Sequence, residues 1–131
     1  DLMDAPVPQG LHGTSRRAHL ETGAALTDDV FIEWNIPATR THTYSDAMLA
    51  AAGSRQRAGA ALNDQQRTII TADGWRYTYS TIGDHALHNL REDPEERRNL
   101  AHTPEHAALI ADLTRRLTTW QAETDDALDL C

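Results

Sequence analysis

"QQRTIITADGWRYTYS", residues 65–80, decides the architecture of this chain. Two runs rich in β-branched and aromatic residues flank Asp73-Gly74, a dipeptide that tolerates the positive φ angles of a tight hairpin. The pattern predicts strands near 66–72 and 75–81. On the carboxyl side, "IGDHALHNL" (82–90) adds a turn at Gly83-Asp84 and a short strand over 86–90. On the amino side, "DDVFIEWN" (28–35) alternates Val30, Ile32 and Trp34 against Phe31 and Glu33, the period of a strand.

The last element reads as a helix over 104–123. Thr103 is placed to cap it, Pro104 suits the first helical position, and Glu105 favours the positive end of the dipole. Ile110, Leu113, Leu117 and Trp120 form one apolar stripe at helical spacing. Trp34 and Trp120 are expected in the core. Earlier, "TSRRAHLE" (14–21) suits one or two helical turns with Ser15 near the cap, and "SDAMLAAAG" (45–53) a short helix from Ser45 to Gly53. "GSRQRAGAALND" (53–64) is small and polar and reads as a mobile surface loop. Strand, strands, then helix predicts an α+β fold: a small antiparallel sheet of about four strands with the C-terminal helix packed on one face.

Between sheet and helix lies "NLREDPEERRNLA" (89–101), densely charged but framed by Leu90 and Leu100. Asp93 and Pro94 read as cap and first residue of one helical turn. Acids stand at its amino end and Arg97 and Arg98 at its carboxyl end, with Asn99 as a left-handed terminator. The stretch is thus expected to be a structural joint rather than a solvated charge patch.

Composition narrows the function classes. The chain has 131 residues and a net charge of −8, which argues against nucleic acid, whose phosphates need a basic surface. Every basic side chain other than histidine is Arg. With no lysine, Schiff-base chemistry and a phosphate-loop lysine are excluded. Cys131 is the single cysteine, so neither an internal disulfide nor a cysteine zinc site can form. No run is apolar for the length of a membrane span. Residues 5–13, "APVPQGLHG", read as extended connector. The opening "DLM" reads like the tail of an apolar helix already under way, so a fragment is expected and the compartment stays open.

Four stretches together resemble the C-terminal domain of the sulfatase family, in the alkaline phosphatase superfamily. "ALHNLREDPEERRNLAHTPEH" is similar to that family's Leu-Tyr-Asp-Leu, Asp-Pro-x-Glu, Asn-Leu-Ala joint. "RTIITADGWRYTYS" resembles its Arg-x-Ile-x-x-x-x-x-Trp-Lys-Tyr hairpin, "VFIEWN" the strand before it, and "APVPQGLHGTS" its Pro-x-x-Gly-Leu-x-Gly-x-Ser connector. Arg76 replaces the usual Lys, and His88 and Asn89 the usual Tyr and Asp. The resemblance implies that 1–27 is a connector from a catalytic domain missing here. It implies that 28–131 is the C-terminal domain, with 36–63 an insertion of loop and short helix. It also implies a parent enzyme that cleaves sulfate esters with a formylglycine nucleophile beside calcium. Relatives acting on phosphate or phosphonate esters share such tails, and a stand-alone non-enzymatic binding or assembly module is the competing reading.

No catalytic or metal residue is assigned within the chain. Asp28-Asp29 precedes a strand, whereas the family's acidic pair follows one. His85, His88, His102 and His106 have zinc-like spacing, but Pro104 separates the second pair from a shared helical face. Ser80, Asp84 and His85 lack a nucleophile elbow. Arg40, His42, Trp75 and Arg76, on a loop and at the hairpin tip, are the candidates to rim an anionic substrate, since Arg pairs bidentately with sulfate-like oxyanions.

Overall fold

The computed structural model describes residues 5, 6, 8–11, 13–36 and 43–130. Four strands, β1 (Val30–Trp34), β2 (Gln66–Ile70), β3 (Trp75–Ser80) and β4 (Ala86–Asn89), pair antiparallel in chain order. A helix α1 (Arg17–Thr22) precedes β1. Helices α2 (Asp46–Ala52) and α3 (Arg55–Leu62) lie between β1 and β2. A 3-10 turn, Pro104–His106, leads into α4 (Ala107–Thr124), which packs on β2 and β3. This is the expected α+β arrangement.

The register assigns each face. Val30 opposes Ile70, which opposes Arg76, which opposes His88. Ile32, Thr68, Thr78 and Ala86 make the next row, and Trp34, Gln66 and Ser80 the third. These rows form the outer face, because directly opposed residues share a side of the sheet. The inner face carries Phe31, Arg67, Ile69, Tyr77 and Leu87. There Ile69, Tyr77 and Leu87 close a core with Leu100, Leu113, Leu117 and Leu130. The helical stripe supplies Leu113 and Leu117, both fully buried. Trp120, half-buried, stacks parallel on Phe31 at 5.2 Å.

The β2–β3 hairpin turns as Asp73-Gly74 demands. Thr71 N–H donates to Trp75 O (2.8 Å), and Gly74 takes φ +92°. A Cβ on Gly74 would stand 2.9 Å from Arg91 Cγ, so only glycine fits both the dihedral and the space.

Several expectations are corrected. Residues 55–62 form a helix, not a loop. The Ser54 hydroxyl accepts from Arg57 N–H (3.1 Å) as an N-cap, and Arg, Gln and Ala propagate the turn. Gly59 there permits close approach, since an added Cβ would meet Tyr44 Oη at 3.0 Å. Residues 93–98 form a turn rather than a helical one. Glu96 itself takes the left-handed conformation (φ +54°), which stops propagation three residues before Asn99. Thr103 makes no side-chain cap, and the helix opens instead with a 3-10 turn closed by His106 N–H on Thr103 O (3.0 Å). Trp34 is 59% exposed rather than in the core, because the even-numbered side of β1 faces away from α4.

Candidate docking face and rim

The first candidate surface is the outer side of β1. Val30 (47% exposed), Ile32 (44%) and Trp34 (59%) stand in a row on one face. Leu11, Leu20 and Leu26 are also exposed in the segment leading to β1, and α1 buries no residue. Among the described residues β1 is an edge strand, with β2 on one side only. A strand with both an open edge and a bare apolar face is a ready partner surface.

The candidate rim is less convergent. Arg40 and His42 lie outside the described residues. Trp75 and Arg76 are adjacent on β3 and therefore point to opposite faces. Trp75 lies on the inner side, its ring 5.3 Å from that of His106. With Asn89, Glu92, Asp93, Arg98 and Leu100 it lines a groove of 390 Å³. Arg76 lies on the outer side, where its Nη1 donates to both carboxylate oxygens of Glu96 (2.6 and 2.5 Å). Its Nε is buried without a partner among the described residues, as is Nδ1 of His88 across the register. Trp75 and Arg76 thus flank the hairpin without meeting at one ligand position.

The other chemical candidates are engaged in structure. Asp28 is held by a fork of two bonds from Arg16 (2.7 and 2.6 Å), which pulls its carboxyl below the ordinary range. Asp29 instead pairs with Arg116 at 3.2 Å. Two carboxylates each bound to its own guanidinium do not form a calcium cradle. The Ser80 hydroxyl accepts from Ile82 N–H (3.3 Å) and Asp84 N–H (3.2 Å), closing the β3–β4 turn. His85 Nδ1 accepts from the backbone N–H of Ser80, not from its hydroxyl, so no nucleophile–base pair exists there. His85 packs against Tyr79 (4.8 Å), His88 is buried on the outer face, His106 meets Trp75, and His102 is exposed. Among the described residues no group of three or more His, Cys, Asp or Glu converges on a metal position.

Three polar devices escaped the sequence reading. Arg67, buried on the inner face, forks onto Asp126 (2.6 and 2.7 Å) and donates to Asn35 Oδ1 and Gln66 O. The pair is 59 residues apart in sequence. Gln121 Nε2 donates to the same carboxylate (2.7 Å) and to Leu128 O (2.8 Å). The Arg67 fork holds the Asp126 carboxyl at about 2, well under its ordinary 3.8. Asn99 is the second device: its Oδ1 accepts from Leu87 N–H (3.0 Å) and Ala101 N–H (2.9 Å), and its Nδ2 donates to His85 O (2.9 Å). With Leu100 N–H on Leu87 O (2.8 Å), this covers the outer edge of β4. Third, burial pushes the Asp64 carboxyl up, but hydrogen bonds from Gln66, Ser80 and Thr81 outweigh it and leave the group below its usual value. The only sequence signals were an Arg at an inward strand position and an Asn before an apolar Leu.

The sequence matches no family model. Solved structures share the fold. A sulfatase candidate from Bacteroides thetaiotaomicron VPI-5482 superposes with a TM-score of 0.69 at 20% identity, over 99% of this chain and 25% of its own. A 2-O GAG sulfatase gives 0.69 at 19% identity over the same shares. A protein solved with its substrate, D-glucosamine-2-N,6-O-disulfate, gives 0.63 at 18% identity, over 93% of this chain and 22% of its own. At these identities the likeness is one of fold, and the chain spans about a quarter of the length of the sulfatases it matches.

Proposed function

We propose that this chain is the C-terminal domain of a sulfatase-like sulfuric-ester hydrolase. It packs against the catalytic domain and lends part of the substrate rim. The observation that carries the reading is coverage: nearly all of the chain superposes on one quarter of each sulfatase, with no residue budget left over for a catalytic half. The four motifs of the joint, hairpin, strand and connector support the same placement. Arg40, His42, Trp75 and Arg76 are the proposed rim residues. Arg76 engages Glu96 through Nη1 alone, so its Nη2 is the group proposed to meet a substrate oxyanion.

Calcium and formylglycine are proposed for the parent enzyme, supplying Lewis-acid stabilisation and the nucleophile. Asp28 and Asp29 do not fit that metal, each being bound to its own arginine. The chain by itself is therefore expected to leave 4-nitrophenyl sulfate intact, with or without calcium. The polypeptide that includes the upstream coding region is expected to hydrolyse it. Turnover by the purified 131 residues would remove the proposal. So would an upstream region lacking a Cys/Ser-x-Pro-x-Arg motif.

A further inference from the structure

We infer that the catalytic domain docks on the outer face of β1 and the segment before it, with Ile32 and Trp34 at the centre of the contact. The inference rests on the proposed function and names the surface through which it works. Six of the large hydrophobic side chains that stand in solvent among the described residues are Leu11, Leu20, Leu26, Val30, Ile32 and Trp34; the other two are Met48 and Ile82. Three of these, Val30, Ile32 and Trp34, stand in one row on the outer face of β1, and three more lie in the segment that leads into it. Singly scattered exposure is ordinary in a monomer, whereas an exposed apolar row that includes an aromatic ring marks an interface.

The geometry suits a protein partner better than a small ligand. The row Val30, Ile32, Trp34 lies along a strand, so it presents a ridge rather than a cavity. Among the described residues nothing pairs with the other backbone edge of the same strand. At the opposite end of the sheet, the edge of β4 is closed by Asn99 and Leu100. The fold therefore protects one edge and leaves the other available. Asp28 and Asp29, just before the strand, are already paired with Arg16 and Arg116, and the row itself carries no charge. The contact is accordingly mainly apolar, with little dependence on salt. The occupant is the remainder of the same polypeptide, because the matched sulfatases carry three further quarters of chain beyond this fold.

The test mixes this chain with the separately produced upstream polypeptide and measures association by calorimetry. Trp34→Glu and Ile32→Glu are each expected to weaken docking at least about 30-fold, the scale of a buried aromatic or aliphatic anchor. Thr118→Glu, on the exposed side of α4, is expected to leave it unchanged, and added salt to have little effect. Circular dichroism establishes that the variants are folded. Hydrogen exchange on the unaltered chain, slowed over residues 30–34 in the complex, gives a second measure that needs no substitution. Docking that survives both β1 variants, or protection confined to α4, would overturn the inference while leaving the proposed function standing. A complex of two copies of this chain through β1 would also overturn it. Failure of the unaltered chain to bind the upstream polypeptide at all would remove both.

Discussion

At the scale of single residues, Arg67 and Asp126 hold the tail to the sheet. Both side chains are almost wholly buried, and the fork between them is supported by Gln121 and Asn35. Removing one member of such a pair leaves the other charge buried without compensation. Asp126→Asn is therefore expected to cost roughly 2 to 4 kcal/mol of unfolding free energy at neutral pH, read by urea denaturation. The pH dependence has a definite sign. The Asp126 carboxyl titrates at about 2 when folded against 3.8 ordinarily. Its contribution, about 2 kcal/mol, is complete above the ordinary value and is lost as pH falls from about 4 to 2. In the Asn variant that part of the acid loss disappears. A slope unchanged by the substitution would show that Asp126 is not the group responsible.

Among elements, the joint at 89–101 decides how β4 meets α4. Its charges suggested a capped helical turn, but no helix forms for Asp93 to cap. Asp93 accepts from Arg98 N–H (2.8 Å), and these backbone bonds lower its carboxyl below the usual range. Its terminator was misplaced, because Glu96 takes the left-handed conformation and Asn99 clasps three backbone groups instead. Propensity ranks Asn as a helix stop, but it says nothing of a tertiary partner such as Leu87. Asn99→Ala should lower stability by about 1 to 2 kcal/mol, since Leu87 N–H loses its acceptor inside the core edge. The thermal midpoint measures this. A shift no larger than for the exposed Thr118→Ala would refute the clasp.

For the whole molecule, the imbalance between the two sheet faces is the main feature. The inner face is sealed by α4 and the returning tail, while β1 shows its apolar row outward. An apolar-sensitive dye is expected to bind the isolated chain and to lose most of its signal in the double variant Ile32→Glu, Trp34→Glu. A self-sufficient module would bind little dye in either form. Among the described residues no helix is long and apolar enough to cross a membrane.

The residues alone determined the kind and order of most elements. Alternation in 30–34, the Asp73-Gly74 turn and the stripe of α4 act between near neighbours, and local chemistry is enough to read them. Ser54 and its helix were legible in principle, but small and polar composition masked the cap. The tertiary structure alone decided which side of β1 faces solvent. A period of two defines two faces without saying which one α4 will cover. It alone joined Arg67 to Asp126 and Asn99 to Leu87 and His85. It also sent Trp75 and Arg76 to opposite sides of a strand, so that a rim drawn from sequence proximity divides between two surfaces. Such pairings depend on the path of the chain through space, which no local pattern of side chains encodes.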